Sequence, residues 1–105
     1  PQVISGESAF SPDIAAMVGG KPIYVECEGG GPREGQVRQR KWGDYATVTR
    51  EFHIMVPNGR VQSDLISEIT RWSMDMSTEV TLRICNLAKL KPEGPLWTYE
   101  RHLSW

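Results

Sequence analysis

The stretch that decides the fold is ATVTREFHIMVPNGRVQSDLISEITRWSMDMSTEVTLRICNL, residues 46–87, because it places one helix pattern between two strand patterns. Apolar and polar residues alternate over 46–56 with many β-branched side chains, which is typical of a half-buried strand. Turn residues at 57–59 end that strand. The alternation returns over 79–87 and predicts a second strand. If the two strands are neighbours, the helix between them forms a right-handed crossover.

The segment between these strands has the spacing of an amphipathic helix. Ser63 is suited to cap its N-terminus, and Asp64 lies favourably in the first turn. One apolar stripe follows at helical intervals and consists of Leu65, Ile69, Trp72 and Met76. We therefore predict a main helix that lies across one face of a small sheet.

The flanking segments predict shorter elements. An N-cap with proline at the first helical position predicts a short helix over 11–18 that Gly19-Gly20 ends. The other assignments are a strand over 21–28, a loop with at most a short strand over 33–45, a loop over 91–95 and a strand over 96–105. The predicted fold class is α+β: a mostly antiparallel sheet of about four strands, one main helix and a short N-terminal helix. Residues 1–10 are expected to form an arm, and 11–105 a single domain.

Size and charge narrow the function classes. The chain has 105 residues with 12 basic and 13 acidic side chains, which fits one domain and excludes a strongly basic nucleic-acid-binding protein. No apolar run approaches the ~20 residues that span a bilayer, so we predict no transmembrane segment. Cys27 and Cys85 are expected to be free thiols in a reducing compartment. Because the chain starts at Pro1, we expect a processed or trimmed product.

Catalytic and metal-binding patterns are weak. His53 and His102 are isolated, with no helical His-x-x-x-His pair and no Cys-x-x-Cys motif in the sequence, and the glycine run at 29–31 lacks the Lys-Ser/Thr of a phosphate loop. We therefore predict no catalytic residue, no metal and no cofactor. An enzyme would require a cleft that brings one of the histidines close to a cysteine or a carboxylate.

One local charge feature suggests a binding site for anions. It consists of Arg33, Arg38, Arg40 and Lys41, followed directly by Trp42. Basic residues beside an indole can hold phosphates while the ring stacks on a base or enters a lipid interface. The alternative is a solvated loop whose tryptophan packs against the core.

The C-terminal strand pattern is rich in aromatic residues. Its aligned positions are Trp97, Tyr99, Leu103 and Trp105. If this strand is central, these side chains belong to the core. If it is an edge strand, they form a surface for self-association.

Two motifs resemble the matrix proteins of rhabdoviruses. They are FHIMVPNG at 52–59 and PEGPLWTYER at 92–101, with an amphipathic helix and a strand between them. The resemblance implies a non-enzymatic viral structural protein of the host cytoplasm and the virion that forms homo-oligomers. It further implies contacts with the viral nucleocapsid or RNA and with the inner membrane face during budding. Two family features, a Pro-Pro-x-Tyr motif and a lysine-rich N-terminal tail, are missing from this sequence. The alternative function is a small single-stranded nucleic-acid-binding module that uses residues 33–42.

Overall fold

The structure, a computed structural model, describes residues 3–5, 8–31 and 35–105. The strands are β1 (Val3–Ser5), β2 (Ser8–Phe10), β3 (Ile14–Val18), β4 (Lys21–Cys27), β5 (Glu51–Val56), β6 (Val80–Asn86) and β7 (Tyr99–Leu103). The helices are α1 (Gly35–Val48) and α2 (Gly59–Asp75), and a short 3₁₀ turn follows β6 at Leu87–Lys89. None of the helices in the described ranges is long and apolar enough to cross a membrane.

Five strands form one mixed sheet in the order β3-β4-β5-β6-β7. The two inner pairings, β4 with β5 and β5 with β6, are parallel, whereas the two outer pairings are antiparallel. The α+β class is confirmed, and the strands on either side of the main helix are neighbours. The sheet has one strand more than predicted and is less antiparallel. Each inner connection passes through a helix that brings the chain back to the end of the sheet where the previous strand began, so the next strand runs parallel to it.

Both helices cover the same face of this sheet. Alternation along β5 and β6 turns Phe52 and Leu82 towards the helices, where they are fully buried. Tyr45 of α1 stacks on Phe52 with ring centroids 4.2 Å apart, and Trp72 of α2 contacts the same ring at 5.8 Å. The core therefore lies between the sheet and the two helices.

We call the other side of the sheet the open face. By register it carries Ile14, Ala16 and Val18 on β3, Lys21, Ile23, Val25 and Cys27 on β4, Glu51, His53 and Met55 on β5, Thr81, Arg83 and Cys85 on β6, and Glu100 and His102 on β7.

The short helix predicted over 11–18 is wrong, because this segment is strand β3. Gly19 and Gly20 have φ values of +59° and +79°, which fit a type I′ turn that joins β3 to β4 as a hairpin. Asp13 does not act in a first helical turn. Its Oδ2 atom accepts a hydrogen bond from the Cys27 amide at 2.8 Å and fixes the start of β3 to the end of β4.

The loop predicted over 33–45 is also wrong, since α1 occupies most of it. The helix was hard to recognise because its inward face combines Trp42 and Tyr45 with charged side chains. It extends to Val48, so residues 46–48 belong to a helix rather than to the predicted strand. Helix α2 is confirmed but begins earlier than predicted, with Asn58 as its N-cap.

The predicted N-terminal arm contains regular structure. Its described residues, 3–5 and 8–10, form a separate antiparallel two-stranded sheet. Phe10 is buried and stacks on Tyr45 with ring centroids 4.4 Å apart. This contact joins the N-terminal segment to the core.

Candidate functional site

Carboxylates surround two of the basic residues that were predicted to bind anions. Arg38 Nη2 lies 2.9 Å from Glu28 Oε2 and 3.0 Å from Glu68 Oε2. Lys41 Nζ lies 2.6 Å from Glu28 Oε1 and 2.8 Å from Glu26 Oε2. These five residues, which we call the ion cluster, connect β4, α1 and α2. Both cations are therefore engaged inside the protein.

Trp42 is part of the core rather than of an exposed binding surface. Its ring is fully buried, and its Nε1–H donates to Glu68 at 2.8 Å. The Arg38 guanidinium lies 5.2 Å from the ring centroid, within the range of a cation–π contact. The indole cannot stack on a base or enter a lipid interface without leaving this position. This burial agrees with the alternative of a solvated loop whose tryptophan packs against the core, except that the segment is helix α1.

The two remaining cations of the predicted site are Arg33 and Arg40. Arg33 lies outside the described residues. Arg40 is exposed and, within the described part of the chain, has no ion pair. It lines an open cleft of about 510 Å³ together with Asp13 and Asp44. The structure thus leaves Arg40 as the one described cation of this set that is available to a ligand.

The ion cluster contains three carboxylates and two cations. Burial raises the pKa of Glu26, although its contact with Lys41 works in the opposite direction. Glu26 Oε1 is buried and has no hydrogen-bond partner among the residues that the structure describes. Burial acts to lower the pKa of Lys41, but the hydrogen bonds that Lys41 donates to Glu26 and Glu28 outweigh that effect and raise it. The contacts within the cluster therefore hold Lys41 and Arg38 charged, whereas burial favours the neutral form of Glu26.

A second row of charges crosses the open face. Arg83 Nη1 lies 2.8 Å from Glu51 Oε1, and Arg83 Nε lies 2.8 Å from Glu100 Oε2. Lys21 pairs with the same Glu51 from the other side. Hydrogen bonds from Lys21 and Arg83 lower the pKa of Glu51 to about 2. This row links β4 to β7 and is balanced in charge.

The four residues predicted for self-association do not share one surface. Tyr99 and Leu103 point from β7 towards the helices, and Leu103 is buried. Trp97 precedes β7 and lies against His53 on the open face, with ring centroids 4.8 Å apart. Trp105 is exposed but donates a hydrogen bond from Nε1 to Ser73 Oγ at 2.6 Å. Although β7 is an edge strand, the expected aromatic ladder is wrong because the chain places its members on different sides.

An exposed apolar segment that sequence reasoning did not single out follows β6. Leu87, Leu90 and Leu96 are 48%, 41% and 52% exposed, and Lys89 and Lys91 lie between the first and the last of them. We call residues 87–96 the apolar loop. The sequence feature that could have identified this loop is a run of leucines and lysines whose spacing fits neither the apolar stripe of a helix nor the alternation of a strand.

Hydrogen bonds hold the two ends of the apolar loop together. The Asn86 amide donates to Thr98 Oγ1 at 2.9 Å, and Thr98 Oγ1 donates to the Ile84 carbonyl at 3.2 Å. Asn86 Nδ2 also donates to Gln62 Oε1 at 3.0 Å, which connects the loop to α2. The leucines are thus presented from a fixed base.

Strand β3 is the other unusual surface. It forms one edge of the sheet, and all five of its residues are exposed, including the apolar side chains of Ile14, Met17 and Val18. It contains no charged residue, whereas the opposite edge carries Glu100 and Arg101. Edge strands in natural proteins usually carry charges or prolines that prevent further pairing. The edge of β3 has no such protection.

The histidines and cysteines do not assemble into an enclosed site. His102 contacts Thr81 Oγ1 at 2.8 Å through Nδ1 and Glu79 through Nε2, but the histidine and the glutamate are both exposed to solvent. Cys27 and Cys85 lie in the same row of the open face with a β5 residue between them. Two strand spacings of ~4.8 Å separate them, beyond the ~7 Å that a disulfide spans. Cys85 is buried as expected, whereas Cys27 is exposed.

Comparisons with protein-family models, with curated proteins and with solved structures found no match for this chain. Within the described ranges, no group of three or more acidic, histidine or cysteine side chains has the arrangement of a metal site. The apolar loop and the edge of β3 are the two candidate functional surfaces.

Proposed function

We propose that this chain is a non-enzymatic structural protein, similar to a viral matrix protein, that self-associates and bridges a nucleocapsid to the inner face of an anionic membrane. The observation that carries the membrane part of this proposal is the apolar loop, which combines exposed leucines with lysines on a fixed base. The self-association part is supported by the unprotected edge of β3.

The composition of the apolar loop suits the surface of an anionic bilayer. Full burial of a leucine contributes about 1.5–3 kcal/mol, so a side chain that is half exposed gains about 1 kcal/mol on entering lipid. Each lysine near an anionic surface adds about 1 kcal/mol. Three leucines and two lysines therefore supply about 5 kcal/mol, which is weak for one copy and becomes strong when many copies are arrayed. A protein that assembles on a membrane needs this combination.

The membrane contact is assigned to the apolar loop rather than to residues 33–42. Arg38 and Lys41 could reach a lipid headgroup only by giving up buried ion pairs. The same argument weakens the alternative of a single-stranded nucleic-acid-binding module. Such a module needs an exposed ring for stacking, and Trp42 is buried.

Flotation with lipid vesicles tests the membrane contact. The protein is mixed with phosphatidylcholine vesicles that contain phosphatidylserine, and with vesicles of phosphatidylcholine alone. A triple Leu87→Gln/Leu90→Gln/Leu96→Gln variant is expected to bind about 100-fold more weakly, because ~1.4 kcal/mol corresponds to a tenfold change in affinity. The matched control is Met74→Gln/Met76→Gln, which replaces side chains of α2 and its C-cap that are 52% and 61% exposed.

Two results would contradict the membrane contact. One is equal binding of the wild type and the leucine variant. The other is an equal loss in the methionine control, which would indicate a general effect of surface hydrophobicity. Sedimentation velocity over a range of protein and salt concentrations tests self-association separately. A monomer under every condition would contradict that part of the proposal.

A further inference from the structure

We infer that β3 pairs with β3 of a second copy of this chain, antiparallel and around a two-fold axis that passes beside Ala16. This inference rests on the proposed self-association and specifies its contact. The two five-stranded sheets would become one continuous ten-stranded sheet.

The turn between β3 and β4 determines which backbone groups of β3 are free. In a two-residue type I′ hairpin the residues next to the turn, here Val18 and Lys21, form a hydrogen-bonded pair. Hydrogen-bonded and non-hydrogen-bonded pairs alternate along an antiparallel ladder. Met17 therefore forms a non-hydrogen-bonded pair with Pro22, which is consistent with proline having no N–H.

It follows that Ala15 and Met17 direct their N–H and C=O groups away from the sheet. An antiparallel partner strand must place its own outward residues opposite these two. The register that pairs Ala15 with Met17 of the second copy, and Met17 with its Ala15, overlaps all five residues of both strands. It forms four backbone hydrogen bonds between the copies.

The side chains fit this register. On the helix side of the sheet, the long Met17 side chain lies beside the small Ala15 of the other copy. On the open face, Ile14 lies opposite Val18, and the two Ala16 residues meet at the axis. Asp13 falls opposite Gly19, so the two Asp13 carboxylates lie at opposite ends of the seam and do not repel each other. On the open face, the two branched Ile14–Val18 pairs thus lie on either side of the small Ala16 pair.

The occupant that best fits this edge is a second copy because the strand is complementary to itself. A charged partner strand could form no ion pair with β3, because β3 contains no charged residue. The two-fold axis instead pairs β3 with an equally uncharged strand. Five residues per copy bury less area than the ~1,200 Å² of a stable interface. The contact is therefore expected to be weak and to depend on concentration, as assembly from soluble copies requires.

Cysteine cross-linking tests the pairing. Residues opposite each other in a non-hydrogen-bonded pair have Cα atoms about 4.5 Å apart, which suits a disulfide. In a Cys27→Ser background, where the remaining Cys85 is buried, we expect Ala16→Cys to oxidise to a covalent dimer at least tenfold faster than the Met74→Cys control. The control places a thiol at an exposed apolar position of α2.

The register has its own test. Ile14→Cys and Val18→Cys proteins are expected to cross-link slowly alone and quickly when mixed, because each lies opposite the other across the axis. Met17→Lys and Ala15→Pro, which add an edge charge and remove an outward N–H, are expected to reduce self-association. Circular dichroism of each variant verifies folding.

The outcomes separate this inference from the proposed function. If the wild type self-associates but Ala16→Cys cross-links no faster than Met74→Cys, the β3 pairing is wrong and self-association stands on another surface. If the wild type is monomeric at every concentration and salt level, both fail. Fast cross-linking of Ala16→Cys together with the mixed pair supports both.

Discussion

Replacing Arg38 by methionine tests whether the basic segment of α1 serves the fold rather than a ligand. Methionine keeps an apolar stem beside Trp42 but removes the charge that Glu28 and Glu68 share. Removal of one partner from a buried ion pair costs about 3–5 kcal/mol because the other charge stays uncompensated. Glu28 keeps its contact with Lys41, and the side chains of Arg38, Glu28 and Glu68 are 14%, 7% and 18% exposed, so the cost lies at the lower end of this range. We expect a loss of about 3 kcal/mol.

Urea unfolding followed by tryptophan fluorescence measures this loss. With a slope of about 1.5 kcal/mol per molar urea, the midpoint of Arg38→Met falls by about 2 M. The matched control is Arg40→Met on the same helix, where the lost cation is exposed and has no ion pair with the described residues. A change within about 0.5 kcal/mol is expected there. Equal midpoints for the two variants would refute the structural role of Arg38 and restore residues 33–42 as a candidate ligand-binding site.

Two further predictions concern titration. Burial raises the Glu26 pKa above its ordinary 4.5, so its effect on stability worsens as pH rises from 4.5 through the folded-state value. Glu26→Gln should therefore flatten the decline of the urea midpoint above pH 4.5, and an unchanged pH profile would count against this. Burial lowers the pKa of His53, so its contribution is present above pH 6.5 and is lost as pH falls. His53→Phe, which keeps a ring against Trp97, should remove that acid sensitivity, whereas a slope below pH 6.5 identical to that of the wild type would contradict it.

The sequence predicted the fold best where one face of each element is apolar. Helix α2 buries Leu65, Ile69 and Trp72 as a single stripe, and β6 buries every second residue, so hydrophobic periodicity located both. Helix α1 gave no such signal because its inward face includes Arg38 and Lys41. Their burial depends on carboxylates from β4 and α2 that are distant in the sequence. No local pattern reveals that partnership.

The error at β3 has a different cause. Ser11-Pro12-Asp13 and Gly19-Gly20 match the start and stop signals of a helix, but the same two glycines favour a type I′ hairpin. The hairpin is formed because β4 offers a strand edge for pairing, a tertiary effect that outweighs local preference. The binding site was predicted at the wrong place for a related reason. The composition of residues 33–42 suggested solvent-exposed cations, but Arg38 and Lys41 form ion pairs inside the protein. The exposed side chains are the leucines of the apolar loop.

The two candidate surfaces are geometrically compatible. A two-fold axis between antiparallel strands of one sheet runs perpendicular to that sheet, so it keeps both open faces on the same side of the dimer. Trp97, which directly follows the apolar loop, packs on His53 of that open face. The two Trp97 residues of a dimer therefore lie on one side of the sheet, and the proposed function requires that both apolar loops contact a flat membrane together. Under this arrangement pairing through β3 doubles the number of leucines and lysines presented to the bilayer. Weak self-association and weak lipid binding then strengthen each other, because each membrane-bound copy raises the local concentration of its partner.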